Sequence, residues 1–323
     1  MKAMDITVLV PAYKSQYLPE LLRALQSQTL PPARVVFSDD SPDQAFQRAL
    51  ATPEARAAWP ALHLEVIPGP RNGAWANFRH LLQHYKGETA FFHLQLDDDI
   101  PYPQFYERHA QAHALAQGQA AVSRRWTALE SGEPTGSLPV PESIHGQLQR
   151  LFALGPDVLF PSTVAASNNW LGEFSNATFR AGMREELLST RLAGVSFTGL
   201  EDIGAFLVAC RQAPLIYINE HLGYFRTSPG QNTSLTTGRI FKLGLLAWVA
   251  LALASHRLGY LDAGQMAAVA QRIGGTVLQH YRAVDPAMCG VAELGLRLGQ
   301  GPEAEADYLA AWHAYSGALE MPA

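Results

Sequence analysis

Cysteine is nearly absent. Cys210 and Cys289 are the two in 323 residues; they make no disulfide framework and no metal-type spacing, which points to a reducing compartment. Basic charge is thin as well. Lys and Arg number 24 against 29 Asp and Glu, for a net charge of -5, and no stretch gathers them, which argues against a nucleic-acid surface. The most lipid-like run, "LGLLAWVALALA" from Leu243 to Ala254, is well short of the ~20 residues that span a bilayer. The start, "MKAMDITVLVPAY", lacks the apolar core and cleavage site of a signal peptide. The expectation is a cytoplasmic protein, with contact at the inner face of a membrane left open. "PAYKSQ", after the first apolar run, holds no glycine. The turn that a nucleotide-dependent dehydrogenase needs is therefore missing, and no Walker-type phosphate loop occurs.

What the chain does have is a core and an alternation. Hydrophobic residues make up 48%. "ITVLV", "RVVFSDD", "LHLEVI" and "TAFFHLQL" read as strands. "YLPELLRALQSQ" reads as a helix with Leu18, Leu21, Leu22 and Leu25 on one face, and "AWANFRHLLQHY" as a second with Trp75, Phe78, Leu82 and Tyr85 on one face. This order predicts an α/β fold, a mainly parallel Rossmann-like sheet flanked by helices, with ligands bound beyond the carboxyl ends of the strands. The polar clusters Pro11–Tyr13, Ser38–Ser41, Pro68–Gly73 and Asp97–Asp99 all fall at those ends. The Gly-, Pro- and Ser-rich stretch from Arg124 to Trp170 predicts an excursion over the surface. Beyond Gly238, helical patterns at 239–257, 262–282 and 302–319 predict a C-terminal helical extension, giving domains of 1–237 and 238–323.

"HLQLDDDIPYP" runs an apolar strand into Asp97, Asp98 and Asp99. Carboxylates at contact distance repel unless a cation sits among them. On an extended backbone Asp97 and Asp99 point one way and Asp98 the other. Hard oxygen ligands suit Mg2+ or Mn2+ holding a diphosphate, not zinc. The plainer reading is a solvated acidic turn, or a cap for the helix in "PQFYERHAQAHA". The pairs His80/His84 and His109/His113 have a zinc-capable i,i+4 spacing without the Glu of a protease motif, and read as solvated helix faces.

Taken in order, "VLVPAYKSQYLPELLRALQSQTLPPARVVFSDDSPD", "GPRNGAWANFRHLL", "LQLDDDIPYP" and "GLEDIGAF" resemble a family 2 glycosyltransferase of the GT-A fold, over about residues 4 to 230. The resemblance implies transfer from a nucleotide-diphosphate sugar, most often a UDP-sugar, with inversion at the anomeric carbon, and a bacterial surface-glycan role as the default. It places Pro11, Ala12 and Tyr13 near the nucleotide base, and Asp39 and Asp40 at the base as well. Arg71, Asn72, Gly73 and Asn77 approach the nucleotide sugar, with Arg71 or Arg79 offsetting phosphate charge. Asp97, Asp98 and Asp99 match the acidic metal motif: Asp99 as the direct Mn2+ or Mg2+ ligand, Asp97 at the metal and near the ribose or donor sugar. Glu201 and Asp202 match the acceptor-side pair, Asp202 as general base and Glu201 orienting the acceptor; on spacing alone they would be ordinary acids in a first helical turn. Asn176 falls on the acceptor or donor-sugar side, and Arg226 matches the pyrophosphate arginine. Where many relatives carry a His two residues on, this chain has Ser228, with His221 as a candidate substitute or a structural histidine.

Two other classes compete. A sugar-nucleotide nucleotidyltransferase could use a similar sheet and acids but lacks its usual Gly- and Arg-rich N-terminal signature here; a catalytically inactive sugar-nucleotide or glycan binder would not need Asp99 and Asp202. The acceptor is expected to be a glycan, a lipid-linked molecule or a protein, with no nucleic acid involved. The apolar "FKLGLLAWVALALASHRLGYL" reads as a packing helix, with a membrane-facing or homodimer surface as the sharper alternative.

Overall fold

The computed structural model describes residues 5–227 and 235–320. Within them lie the strands β1 (Ile6–Ala12), β2 (Arg34–Asp39), β3 (Leu64–Pro68), β4 (Phe91–Leu94), β5 (Ile100–Pro101), β6 (Ala120–Ala128), β7 (Pro134–Ser137), β8 (Leu151–Leu154), β9 (Ala177–Arg180), β10 (Arg191–Leu192), β11 (Val195–Ser196) and β12 (Leu215–Arg226). The chain divides into two compact units. One comprises Met1–Leu154, Leu171–Leu188 and Gln212–Ser228; the other Gly155–Trp170, Ser189–Arg211 and Pro229–Ala323. Two segments upstream of residue 237 thus group with the C-terminal helices.

The first unit is built on a sheet of order β3-β2-β1-β4-β9-β6-β12-β5, with β7 on β6 and β8 on β12. β3, β2, β1 and β4 run parallel, and all seven residues of β1 are buried, as expected where helices cover both faces. Helix Leu18–Gln26 buries Leu18, Leu21, Leu22 and Leu25. Helix Ala74–His84 buries Asn77, Phe78, Leu81 and Leu82, while Trp75 stays half-buried. Past β4 the sheet becomes mixed, since β9 lies antiparallel to both β4 and β6.

Two expectations change. The stretch from Arg124 begins inside β6, a strand buried over most of its length, and continues into β7 and β8, which extend the same sheet. Gly132, Pro139, Pro141 and Gly146 fall between these strands while Pro134 and Gly136 lie within β7, so the surface stretch, mostly exposed over 129–150, is tied to the sheet rather than free of it. The helix Phe105–Leu115 buries Phe105, Tyr106, His109, Ala112 and His113, so this histidine pair is core, not solvated face.

The second unit holds the ribbon β10–β11 and helices Glu201–Gln212, Arg239–Arg257, Ala263–Tyr281, Pro286–Gly295 and Pro302–Glu320. Pro286–Gly295 is absent from the sequence pattern, being short and broken from its neighbour by Asp285, whose carboxylate accepts from the Met288 amide at 3.0 Å. Asp262 and Gln265 form a reciprocal cap for Ala263–Tyr281. Arg239–Arg257 is 19 residues long and, among the described residues, is the helix long and apolar enough to cross a membrane; 61% of its most apolar window is buried inside the protein. That burial, from Leu246 to Ser255 without a break, is what a packing helix needs.

Candidate functional site

The parallel strands deliver their carboxyl ends side by side. Pro11 pairs with Ser38 and Ala12 with Asp39, and the chain is stitched onward by Asp40 N–H to the Ala12 carbonyl and Gly69 N–H to the Asp39 carbonyl, each 2.9 Å. A Cβ at Gly69 would lie 2.9 Å from the carbonyl carbon and oxygen of Asp39, backbone that cannot give way, so glycine is what lets this crossing close.

At the end of β4 the strand stops at Leu94, and Asp97–Asp99 lie in a turn, not on extended backbone. The buried Gln95 builds that turn, its amide donating to the carbonyls of Leu96 (2.8 Å) and Asp99 (3.0 Å). The up-down alternation expected of the three acids therefore does not apply. All three are buried. Asp97 Oδ2 accepts the backbone amides of Tyr13 and Lys14, at 2.6 and 2.5 Å. Asp98 is ion-paired to the Lys14 ammonium. Asp99 Oδ1 accepts the Arg226 amide at 3.1 Å, while its Oδ2 is buried without a well-formed hydrogen bond, the neighbouring Ser175 hydroxyl opposing the rise of its pKa only in part. Burial first, then the Asp98 charge, pushes Asp97 up to about 6; the same two causes raise Asp99 well above the ordinary range. For Lys14 burial works against the charge, but Asp98 and Asp97 overcome it and its pKa is raised.

Asp99 also lines a small cavity with Arg125, Glu173, Ser175, Asn176 and Tyr224. Arg125 grips Glu173 with two nitrogens, at 2.8 and 2.6 Å. Ser175 accepts the Leu96 amide through Oγ at 3.1 Å, and its carbonyl meets His93 Nε2 at 3.1 Å, so this wall is pinned to the end of β4. None of Lys14, Arg125, Glu173 or Ser175 is singled out by the sequence. The signal for Lys14 is topological: β1 beside β4, with Leu9 opposite Leu94, brings the residues just beyond Ala12 alongside the acids.

The remaining expected residues divide by exposure. Tyr13 is 59% exposed at the mouth of β1, so its ring takes no part in the core. Arg71, Asn72 and Gly73 are exposed, with Arg71 and Gly73 at φ of 54° and 85°. Asp40 accepts the Arg71 amide; burial raises its pKa, and Arg71 opposes the rise. Asp39 is committed inward, accepting from the Ser41 hydroxyl and amide and, at 2.8 Å, from the Gln47 amide. Asn77 ties helix to strand through the Ser38 carbonyl at 3.0 Å, and Arg79 donates to the Leu188 carbonyl. Asn176 is a buried bracket whose amide serves the carbonyls of Ser123 and Leu171 and the Glu173 N–H.

Arg226 is almost fully buried. Its guanidinium donates to the carbonyls of Asp98 (2.9 Å) and Glu130, to Glu20 (2.8 Å) and to the Tyr224 hydroxyl (3.1 Å), and its face covers Tyr17. It bolts the acid turn from behind, and a phosphate contact would require it to exchange partners. His221 stacks on Trp126 at 3.7 Å and meets Ser137 Oγ at 3.0 Å; burial holds it down to about 4. Those contacts make it a structural histidine. Ser228 lies outside the described residues.

In the other unit Glu201 and Asp202 open the helix Glu201–Gln212, both half-buried. Glu201 accepts the Gly199 amide at 2.8 Å. Asp202 accepts the Ile203 amide and, at 3.3 Å, the Asn169 side-chain amide.

Among the described residues no three His, Cys, Asp or Glu side chains converge as a self-sufficient metal cage. The donor set still fits a hard cation, which is commonly held by one or two carboxylates and completed by substrate phosphates. The bare, buried Asp99 Oδ2 is the group such an ion would satisfy.

The family described as glycosyl transferase family 2 matches residues 7–178, more than half of the chain. S. aureus TarS 1-349 in complex with UDP-GlcNAc superposes with a TM-score of 0.61 at 15% identity, covering 98% of this chain and 91% of that one. TarS 1-349 in complex with UDP gives 0.52 at 16% identity over the same shares. A longer S. aureus TarS gives 0.58 at 15% identity, and the chain spans only 54% of its length. A sequence search among curated proteins finds no match. At such identities the superpositions show the fold, a GT-A-like sheet with C-terminal helices, and the sequence match shows the family: the chain belongs to glycosyl transferase family 2.

Proposed function

We propose that this glycosyltransferase moves a sugar from a nucleotide-diphosphate sugar, with a UDP-sugar as the first candidate, to an acceptor hydroxyl with inversion. The observation that carries the reading is the buried acid turn at the carboxyl ends of parallel strands, with Asp99 Oδ2 left bare. The complexes of TarS with UDP-GlcNAc and UDP support the choice of uridine nucleotide.

In this reading Tyr13 offers its exposed ring to the base and Asp40 accepts a hydrogen bond from it. Pro11, Ala12 and Asp39 hold that floor in shape. Arg71, Asn72 and Gly73 border the sugar and phosphates, with Asn77 anchoring their helix. Asp97 and Asp99 would hold Mn2+ or Mg2+, which supplies charge neutralisation for the departing diphosphate. Asp202 takes the proton of the acceptor hydroxyl as its oxygen bonds to the anomeric carbon; the bond to the diphosphate breaks, and its electron pair leaves with the nucleotide. Glu201 orients the acceptor. A glycan, lipid-linked or protein acceptor in bacterial surface-glycan assembly is the associated proposal.

The test is to incubate the protein with UDP-, GDP- and dTDP-sugars and Mn2+, with water or added glycan as acceptor. Release of nucleoside diphosphate with a freed or transferred sugar is expected. In a parallel incubation with nucleoside triphosphates and a sugar phosphate, pyrophosphate release would identify a nucleotidyltransferase, and no product in either incubation would identify a binder. Asp202→Asn should lower turnover on the order of a thousandfold while nucleotide binding survives; near-normal turnover would remove Asp202 as base.

A further inference from the structure

Lys14 has no place in the roles above, yet its ammonium sits inside the acid cluster. It pairs with Asp98, its own amide donates to Asp97, and it belongs to the backbone that leaves β1 next to β4. The two partners differ in access: the Lys14 side chain is 35% exposed, that of Asp98 only 9%. A lysine on a flexible four-carbon stem can change partners where a forked, fully engaged guanidinium cannot. Arg226 is the engaged cation here, with its guanidinium spent on four protein oxygens.

We infer that Lys14 is an exchangeable internal counter-ion: it neutralises Asp98 in the free protein and swings to the diphosphate when nucleotide arrives, so that divalent cation and nucleoside diphosphate bind cooperatively. This rests on the donor-site reading of the acid turn. An ammonium on Asp98 and a divalent ion on the adjacent Asp97 and Asp99 repel one another within a single turn. In the free protein the ammonium therefore weakens the turn for a divalent ion. A diphosphate changes the balance, because it gives the ammonium oxygens of its own charge class. Lys14 then adds to nucleotide affinity and the acids become available together. The bare Asp99 Oδ2 marks the position left unsatisfied by the internal cation, which reaches Asp98 alone among the three side chains.

The test uses Mn2+ and UDP as probes, with no turnover required. Free Mn2+ is measured by electron paramagnetic resonance as the full-length protein is titrated, with and without UDP. Lys14→Met should tighten Mn2+ binding in the absence of UDP by about tenfold or more, and weaken UDP binding at saturating Mn2+ by about tenfold. Lys14→Arg, which keeps the charge, should leave Mn2+ binding in the absence of UDP near wild type. Should the methionine variant not fold, Lys14→Gln carries the same expectation. Unchanged Mn2+ affinity in a folded, uncharged variant would overturn the exchange, as would unchanged UDP affinity. A wild-type protein that binds neither UDP nor GDP with Mn2+ would instead overturn the donor-site reading itself.

Discussion

Asp99 and His109 are both wholly buried in the sheet unit, 1% and 0% exposed, and the protein treats them in opposite ways. His109 and its neighbour His113 share the Thr178 hydroxyl, at 2.9 and 3.0 Å, and His93 lies between Tyr106 and the Ser175 carbonyl. Phe105 stacks on His109 and His93. Burial pushes His93 and His113 down to about 3 and His109 well below its usual range, so this group is neutral and packed. In the acids burial acts in the opposite direction, raising Asp97 and Asp99 toward the protonated form, with the Asp98 charge adding to the rise. Their burial and mutual repulsion are offset only in part, by Lys14, by backbone amides and by the Arg226 backbone. Both clusters leave a buried atom without a well-formed hydrogen bond, His109 Nε2 and His113 Nδ1 in one and Asp99 Oδ2 in the other; what separates them is chemistry, since the imidazoles are packed among aromatic rings while the carboxylates stand at the strand ends where a cation could complete them.

The largest expected effect lies at Asp99. Asp99→Asn should lower release of nucleoside diphosphate from the active sugar donor on the order of a thousandfold and leave the melting temperature unchanged or higher at pH 7.5. His109→Ala should do the reverse: turnover within about twofold, but a melting point lower by roughly 5 °C or more from the cavity. Calorimetry and a UDP-release assay on both variants decide it, and parallel behaviour would erase the distinction.

Acid titration should separate the two regions by sign. The folded pKa of Asp97, about 6, stands above its ordinary 3.8. Its contribution to stability is therefore present below about pH 4 and lost as the pH rises through 6. Asp97→Asn should raise stability at pH 7.5 by on the order of 2 kcal/mol, with the gain vanishing toward pH 4. His93 and His113 are depressed from 6.5 to about 3. Their contribution is present above 6.5 and lost as the pH falls toward 3, so the wild type should soften on that side. Denaturant melts at several pH values read both slopes. A smaller effect extends the comparison to the helical unit: Asn169→Ala, which removes a hydrogen bond to Asp202, should lower turnover about tenfold without altering UDP binding.

Local pattern made much of the sheet unit legible. β1 to β4, the two helices beside them and the ordered motifs follow from short runs whose periodicity is decided within a few residues. What was not legible depends on neighbours far away in sequence. Lys14 meets Asp98 because β1 and β4 are adjacent, and no local signal states that adjacency. Arg226 fits the pyrophosphate arginine by motif, yet its guanidinium is claimed by Glu20 and Glu130, residues over ninety positions away. The histidine pair was recoverable in principle, since Phe105, His109 and Ala112 fall on one buried stripe. Helix Pro286–Gly295 escapes because a ten-residue segment opened by an Asp-Pro step resembles a turn as much as a helix.

Calorimetric titration of UDP, with and without Mn2+, into the wild type and Asp99→Asn tests most directly whether a metal and a nucleoside diphosphate neutralise the acid turn. Mn2+-dependent binding to the wild type, lost in Asp99→Asn, is expected. Equal binding by the two proteins, or binding indifferent to Mn2+, would contradict such neutralisation.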